Sequence, residues 1–346
     1  MNWFPHDGKS WHRPELDGLR GIAVLLVLLS HSSQTGWHVL GFSCAGMGKA
    51  GVYLFFVLSA FLLDGQIINA MGSNQATSRF WKRYAIRRFL RIIPLYWLAI
   101  GVQFYLSSMD VMSQIQDWDD AWAHVMLVRG KGVFWSIPVE FKYYVISPFL
   151  MAVLFRTRGS LRWMTALLAL MGVGAVLLNV GFQLPQVSTV RFLPFFLVGA
   201  WFAFQPDLGG WIRQGQWAWL VVAAGLTFLI WIGLRQGLLQ AGGGLYQLLA
   251  ICACFMLMVA LGGDSEVGKR LFSANWLRWL GMISYSAYLF HVPLLHVFHE
   301  MGLNDLAPFP GLVFLLATVG LASLSHFGLE RPLGRIDPFR VSNESA

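Results

Sequence analysis

The sequence predicts an all-α membrane protein with about ten transmembrane helices and both termini in the cytoplasm. Of its 346 residues, 56% are hydrophobic and only 12% are charged, whereas a soluble domain carries about 25% charged residues. Several apolar runs reach the ~20 residues that a helix needs to cross a bilayer. Helices also satisfy their own backbone hydrogen bonds, which a lipid environment requires. A soluble helical protein would need polar faces that most of these runs lack.

Ten apolar segments are the candidate helices, and they lie along almost the whole chain. Their approximate bounds are 17–35, 51–70, 92–108, 137–155, 163–182, 190–205, 217–235, 244–262, 279–299 and 309–328. Most of the links between them are short, so neighbours in sequence are expected to be neighbours in space. We therefore predict a single transmembrane domain over 1–346 with a helical core at about 14–335.

The distribution of Lys and Arg sets the predicted orientation, because cytoplasmic loops of membrane proteins are enriched in these residues. With the N-terminus in the cytoplasm, 19 of the 25 basic residues fall on the cytoplasmic side. The outer loop 109–136 is long and acidic, which the outer side permits. This split predicts a multi-pass protein of the plasma (inner) membrane.

The composition argues against other classes of protein. The net charge of +8 would suit nucleic acid, but topology alone accounts for the basic residues, so no nucleic-acid partner is expected. The three cysteines, Cys44, Cys252 and Cys254, form neither a disulfide framework nor a zinc motif. No metal site is predicted. The first apolar run lacks a cleavage site for a signal peptide.

The first helix holds the sharpest functional pattern. Arg20 and His31 are eleven residues apart, which is three helical turns plus about 20°, so both lie on one face with a rise of about 16 Å. Asp17 precedes Arg20 by three residues and can pair with it. Ionisable groups within a membrane span are costly and therefore indicate function. The alternative is a basic anchor at one interface and a histidine near the other.

Two other regions carry charged candidates. Arg87, Arg88 and Arg91 form a basic cluster that suits the phosphates of a nucleotide, although an ordinary cytoplasmic loop explains it equally well. Glu140 comes just after Pro138, so we expect it in the first helical turn. It is either a capping carboxylate or a group facing the interior near His31.

Polar residues also mark later segments. Ser284, Tyr288 and His291 follow a 4–3 spacing and form a stripe that either lines a cavity or joins helices. Arg191 begins the sixth segment and Glu330 follows the last one. Anchoring at the membrane interface is the simplest interpretation of both.

Together and in this order, these patterns resemble the acyltransferase-3 family of membrane acyltransferases. The matching stretches are Leu16 to Ala23 with His31, Gly51 to Leu63, Arg87 to Tyr96, Trp135 to Glu140, Arg191 to Gly199, Ile283 to Pro293 and Glu330 to Pro332. The first-helix motif is the most specific of them. The resemblance covers about 14–335. Some members of this family carry a soluble esterase-like domain after the helices, and we expect no such fused domain over 1–346 here.

The resemblance implies transfer of an acyl group, often acetyl, from cytoplasmic acyl-CoA to a hydroxyl of an envelope polysaccharide, lipopolysaccharide or other glycolipid. Acyl-CoA is then a co-substrate, and no permanently bound cofactor is expected. Arg20 and His31 match the family's functional pair. We expect His31 to act as general base or, less simply, as a transient acyl carrier. Arg20 would hold the donor with the residues Arg87, Arg88 and Arg91.

The remaining candidates have supporting roles in this scheme. Glu140 would orient or charge-balance His31 as a third catalytic residue, while Asp17, Arg191, Tyr288 and His291 would support the site on the acceptor side. The sequence departs from the family pattern at Tyr53, where an Asp is common, and at Ala60, where a Gly is common. The loss of a carboxylate at Tyr53 is expected to alter the charge of the site or its choice of acceptor.

Two functions without acyl transfer stay open. A secondary transporter or a flippase of lipid-linked glycans would line its pathway with the same buried charges. The absence of an evident broken helix disfavours it. A membrane sensor or scaffold that binds the donor without turnover is the other alternative.

Overall fold

The computed structural model describes residues 13–39, 41–157, 161–204, 270–303 and 309–336, and all structural statements below concern these ranges. Their regular secondary structure is entirely helical, and the one β-type contact among them is an isolated bridge between Val39 and Phe42. The all-α prediction is confirmed for this part of the chain.

Eleven α-helices are numbered here in chain order. They are α1 (Pro14–Gln34), α2 (Gly48–Gly72), α3 (Ser78–Ser108), α4 (Trp118–Val125), α5 (Ser136–Leu154), α6 (Leu161–Phe182), α7 (Thr189–Ala203), α8 (Asn275–Met282), α9 (Ser284–Glu300), α10 (Pro310–Ser325) and α11 (Arg331–Gly334). Short 3₁₀ segments, Gly132–Trp135 and Phe155–Thr157, flank α5, and a π-helical turn, His326–Glu330, joins α10 to α11.

The chain is a multi-pass membrane protein. Six helical stretches of the described ranges are long and apolar enough to cross a bilayer, and the bent pair α8–α9 makes a seventh. Helix α7 is apolar but shorter. The predicted segments 217–235 and 244–262 lie outside the described residues. The total of ten spans and the cytoplasmic placement of both termini therefore stay predictions.

Helices α1 and α2 form the centre of the described bundle. In each of them 61% of the most apolar stretch is buried, against 11% in α6 and 17% in the stretch containing α10. Small residues let α1 approach its neighbours closely. A Cβ atom on Gly21 would lie 2.1 Å from the Leu277 carbonyl oxygen of α8, and one on Gly51 of α2 would lie 2.3 Å from the Ala23 carbonyl oxygen. Backbone-to-backbone packing of this kind is how membrane helices associate tightly.

Helix α3 is much longer than its predicted segment, 92–108. It begins at Ser78, where the Thr77 hydroxyl caps the helix by accepting from the Phe80 amide at 3.4 Å. The interpretation of the Arg cluster as a loop is therefore wrong. Arg and Lys are good helix formers, so the basic stretch continues the span as a helical extension.

The predicted segment 279–299 is broken rather than continuous. Helix α8 ends at Met282, α9 starts at Ser284, and their axes differ by 72°. Gly281 lies against the α1 backbone, where a Cβ atom would be 1.8 Å from the Asp17 carbonyl oxygen. Because this contact holds α8 on α1 while α9 also reaches α3, α5 and α10, the chain bends at Ile283. The described residues thus contain one broken span, where no broken-helix pair is evident from the sequence.

The segment 109–136 contains the amphipathic helix α4, which the sequence interpretation missed. The Asp117 carboxylate caps α4 by accepting from the Asp120 amide at 2.7 Å. The buried carboxylate of Asp120 binds the side chains of Arg129 and Lys131. Fully buried His124 receives a hydrogen bond from the Lys131 amide at Nε2, 2.9 Å, and its Nδ1 lies 2.6 Å from the Asp120 carbonyl oxygen. The segment is thus tied together by a local polar network.

We expect Gly281→Ala to destabilise the protein, because the added methyl group has no room against the α1 backbone. Overpacking of this kind costs roughly 1–3 kcal/mol, so the detergent-solubilised variant should unfold several degrees below the native chain. Gly320→Ala is the control, since no atom lies within 4 Å of a Cβ at that exposed position of α10. Equal melting temperatures for both variants would contradict the close contact between α1 and α8.

Acidification should loosen the network around α4. Burial lowers the pKa of His124 below its ordinary value, with Lys131 and Arg129 adding to the effect. Neutral His124 therefore stabilises the segment around α4 fully when the pH is above the pKa of an unfolded histidine, about 6.5. This stabilisation is lost as the pH falls below that value. At pH 5.5 the opening of this segment should increase by up to about tenfold relative to pH 7.5.

Hydrogen–deuterium exchange of residues 118–131, corrected for intrinsic rates, measures this opening. His124→Gln is the matched control, because glutamine does not titrate and its exchange should show no such pH dependence. Equal protection of the native segment at both pH values would contradict the buried neutral state of His124.

Candidate functional site

A cavity of about 500 Å³, its open mouth included, lies among five helices. Polar and apolar groups both line it. They are Arg20 of α1, Val52, Phe55, Phe56 and Ser59 of α2, Arg91 and Ile92 of α3, Ser136, Ile137, Glu140 and Tyr144 of α5, and Ser284, Tyr285 and Tyr288 of α9. The first helix, the Arg cluster, the fourth predicted segment and the polar stripe of the ninth thus meet at one place.

A second cavity of about 270 Å³ adjoins the first. The two share Arg20, Ser59, Arg91 and Tyr144, and the second also reaches Arg88. Three guanidinium groups and one carboxylate line the pair of cavities, which is a formal excess of two positive charges. Such a site favours an anionic ligand.

Arg20 is the hub of the charged groups. It is in electrostatic range of Arg91 as well as of Glu140 and Asp17. The predicted pairing of Asp17 with Arg20 is consistent with this, although Asp17 itself does not line either cavity. Because Arg20 also faces the like charge of Arg91, the positive charge around it is not fully compensated, which favours the binding of an anion.

The direct contacts of Arg88 are with aromatic rings and a side-chain amide, and Glu140 acts on it electrostatically. Its guanidinium lies 5.6 Å from the ring centre of Tyr144 and 5.9 Å from that of Tyr84, and it donates to Gln66 Oε1 at 2.9 Å. Its buried Nε has no hydrogen-bond partner within the described ranges. A buried donor without a partner is costly, which makes a bound anion favourable here.

Arg87 differs from the other members of the basic cluster. It is exposed and lines neither cavity, whereas Arg88 and Arg91, three residues apart, share the helix face turned towards Arg20. The structure thus brings three of the four predicted donor-binding arginines, Arg20, Arg88 and Arg91, to the cavities.

Glu140 lies in the cavity wall, but its partners are not the expected ones. Its Oε1 accepts from the hydroxyl of Ser59 at 2.5 Å and from that of Tyr144 at 2.6 Å. Because α5 starts at Ser136, Glu140 is its fifth residue and lies beyond the first turn. The expected contact with His31 is not found among its hydrogen bonds, and its charged neighbours are Arg20 and Arg88.

The polar stripe of α9 continues the site away from Arg20. Ser284 and Tyr288 line the cavity. The Tyr288 hydroxyl donates to the Val133 carbonyl oxygen at 2.6 Å and accepts from the Ser136 hydroxyl at 2.8 Å. The stripe therefore both lines a cavity and joins helices, the two possibilities that its spacing allows.

His31 lies beyond the cavity wall and turns into the protein. Its ring contacts that of His291, with the ring centres 4.9 Å apart, and His291 in turn contacts Tyr288 with a separation of 5.8 Å. The imidazole thus connects to the cavity through two rings of α9, although it does not itself line the cavity.

Two other predicted residues lie away from the cavities. Arg191 donates to the Leu184 carbonyl oxygen at 3.0 Å and lies over the ring of Phe192. Tyr53 is buried and stacks on Phe195 of α7 at 4.2 Å. Tyr53 lines neither cavity, and the effect of its aromatic ring on the charge of the site or the choice of acceptor stays a prediction.

A buried carboxylate, that of Asp64, was missed from the sequence. Asp64 of α2 is fully buried and accepts hydrogen bonds from the hydroxyls of Tyr143, at 2.6 Å, and Ser147. A carboxylate inside an apolar segment was the available signal. Glu330 accepts from the Ser286 hydroxyl at 2.9 Å and lies 3.1 Å from His326 Nδ1, so it binds α9. The last helical stretch continues to Gly334, so Glu330 lies within this stretch, whereas the sequence predicted it to lie after the last segment.

No group of three or more metal-ligating side chains occurs within the described ranges. The site is therefore a charged and hydroxyl-rich cavity with a pair of histidines behind it. Chemically, the site offers guanidinium groups that can bind an anion, hydroxyl groups in the cavity wall and an imidazole that can accept a proton.

Comparisons with known proteins agree with this description. An acyltransferase domain family matches residues 13–326. The peptidoglycan O-acetyltransferase OatA of Listeria monocytogenes is 25% identical over 324 residues, which are 82% of this chain and 49% of the relative. The O-acetyltransferase OatA of Staphylococcus aureus is 25% identical over 365 residues, which are 92% of this chain and 57% of the relative.

The chain spans about half the length of these curated relatives. No solved structure matches it. The family match extends from the start of α1 to the end of α10 and includes every helix that lines the cavity. The chain therefore belongs to the acyltransferase-3 family of membrane acyltransferases.

Proposed function

We propose that this protein is a membrane O-acetyltransferase that moves an acetyl group from cytoplasmic acetyl-CoA to a hydroxyl of a cell-envelope glycan. The observation that carries the proposal is the convergence of three guanidinium groups on cavities that lead, through Tyr288 and His291, to His31. An acyl-CoA has the matching form, because its phosphates lie at one end and its thioester at the end of a long arm.

Arg20, Arg88 and Arg91 bind the donor in this scheme. Their excess positive charge attracts the phosphates, and the basic extension of α3 belongs to the side that the Lys and Arg distribution assigns to the cytoplasm. The unpartnered Nε of Arg88 supplies a donor for a phosphate oxygen. Glu140 limits the repulsion among the arginines when the site is empty.

His31 is the proposed general base. It accepts the proton of the attacking hydroxyl, whose oxygen forms a bond to the thioester carbonyl carbon while the carbon–sulfur bond breaks. The thiolate of coenzyme A leaves and takes up the proton from the imidazolium. General base catalysis by a positioned histidine contributes typically 10²–10⁴-fold to such a reaction.

The relatives suggest the class of acceptor. They are named as O-acetyltransferases, and the one from Listeria monocytogenes as acting on peptidoglycan. We therefore propose a peptidoglycan-type or related envelope glycan as acceptor, reaching the His31 end of the site from the outer side of the membrane.

The bent span α8–α9 favours one alternative, a transporter or flippase of a lipid-linked glycan. Broken helices commonly form substrate sites in transporters. This alternative predicts movement of the glycan across proteoliposome membranes with no consumption of acetyl-CoA. The acyltransferase predicts release of free coenzyme A that depends on the added glycan, so one assay of thiol release separates the two.

Replacing His31 with alanine should lower acetyl transfer by about 10²–10⁴-fold, because the hydroxyl would lose its base. The measurement is transfer of radiolabelled acetyl from acetyl-CoA to soluble peptidoglycan strands by the purified protein in proteoliposomes. His299→Ala is the matched control, since His299 is exposed at the end of α9 and lies away from the cavities. Full activity of a normally folded His31→Ala protein would remove the base from the mechanism.

Replacing Arg91 with glutamine should weaken donor binding, because a charge-assisted hydrogen bond contributes about 1.5–3 kcal/mol. The KM for acetyl-CoA should rise by roughly tenfold or more, with a smaller change in the KM for the glycan. Lys82→Gln removes one positive charge from an exposed position of the same helix and should leave both constants near their native values. Equal changes in KM for the two substitutions would indicate a non-specific effect of positive charge and would contradict direct binding of the donor by Arg91.

A further inference from the structure

The contact between His31 and His291 fixes where the protons of both rings lie. Nε2 of His291 is 3.4 Å from Nδ1 of His31, and the ring planes meet at 61°. His291 is fully buried. Neither ring forms an ion pair with a carboxylate within the described residues. The nearby titratable group is His296, which acts on His291 from the same helix.

The protonated nitrogen of His291 is Nδ1. This atom lies 2.8 Å from the Tyr288 carbonyl oxygen and 3.2 Å from that of Ala287. A carbonyl oxygen only accepts hydrogen bonds, so Nδ1 must be the donor. A neutral imidazole carries a single N–H, and Nε2 of His291 therefore presents a lone pair to His31.

The same argument applies to the ring of His31. Nδ1 of His31 lies 2.9 Å from the Val27 carbonyl oxygen and faces the lone pair of His291 Nε2. Both neighbours are acceptors, so Nδ1 of His31 also carries the proton. Its Nε2 is then the free basic nitrogen, and that atom has no hydrogen-bond partner among the described residues.

We propose that His291 is a positioning residue that holds His31 in the tautomer with a free Nε2, ready to accept the hydroxyl proton. This inference rests on the proposed acyl transfer. When Nε2 takes the proton, the Nδ1–H of the imidazolium keeps both of its acceptors. A neutral histidine thereby does the orienting work that a carboxylate does in a catalytic triad.

The assignment also gives His291 a different role from acceptor binding. Both of its nitrogens are engaged inside the protein, one by the backbone of α9 and one by His31. No ring nitrogen is left for a glycan hydroxyl. The hydrogen bond at one ring nitrogen fixes the orientation of the ring and therefore the position of its other nitrogen. The two histidine rings are held rigidly for this reason.

Nitrogen-15 NMR of the protein labelled in its histidine rings tests the assignment directly. In membranes at neutral pH, the His31 signals, identified by their loss in His31→Gln, should be those of a neutral ring protonated at Nδ1, and His291 should show the same tautomer. A proton on Nε2 of His31 would overturn the inference. This result needs no activity, so it is independent of the proposed reaction.

Kinetics of two substitutions test the consequence. His291→Phe keeps a ring but removes the acceptor, and it should lower kcat by roughly 10- to 100-fold, as loss of an orienting partner does elsewhere, with the KM for acetyl-CoA unchanged. His291→Gln places an amide oxygen near the position of Nε2 and should restore part of kcat. His299→Ala, at an exposed position, should leave kcat unchanged.

The outcomes separate the two proposals. If His31→Ala abolishes transfer while a well-folded His291→Phe protein keeps the native kcat, the positioning role fails and the proposed function stands. If His31→Ala keeps full transfer, the base assignment fails even where the NMR signals show the expected tautomer. Equal kcat values of the Gln and Phe variants would assign His291 to packing alone.

Discussion

The close packing of α1 against α8 and α2 is the constraint on which the site depends. Gly21 and Gly51 allow backbone atoms of neighbouring helices to touch α1, so this helix lies in the centre of the bundle and not at its lipid-facing edge. Arg20 then lines the cavities and His31 contacts His291, although both side chains are only half-buried. Had α1 been peripheral, the same two residues would have been an interface anchor and a lipid-exposed histidine, which is the alternative that the sequence leaves open.

Charge in the bundle is balanced in two different ways. The arginines of the cavities are satisfied only in part, by Glu140, by the rings of Tyr84 and Tyr144 and by Gln66. Asp64 instead accepts hydrogen bonds from two hydroxyl groups, and no cation is among its hydrogen-bond partners within the described ranges. Burying charge inside a membrane is expensive. The partly neutralised arginines favour the binding of an anion, whereas Asp64 already has its hydrogen-bond donors. This difference distinguishes a binding site from a carboxylate with a structural role.

The sequence predicted what depends on local spacing. The pitch of a helix is enough to place Arg20 and His31 on one side of α1, and the 4–3 spacing is enough to align Ser284 with Tyr288. Contacts between residues far apart in sequence could not be predicted. His31 and His291 are 260 residues apart, and no periodicity indicates that their rings meet. The bend at Ile283 was missed because no proline and no charged residue marks it in the sequence. The partner of Glu140 was missed because helix entry angles decide which side chains converge.

The order of the groups along the bundle fits a reaction whose two substrates come from opposite sides. Arg20 and His31 are separated by about 16 Å of helix, and Tyr288 and His291 fill the space between the cavity and the imidazole. A donor with a long arm can deliver its thioester across such a distance while its phosphates stay with the arginines. Tyr288 is itself held by Ser136 and the Val133 carbonyl oxygen, so the wall between the two halves is built from the same stripe that positions the base. Separation of the charged entrance from His31 therefore keeps the guanidinium groups from destabilising the imidazolium that the proposed general base would become.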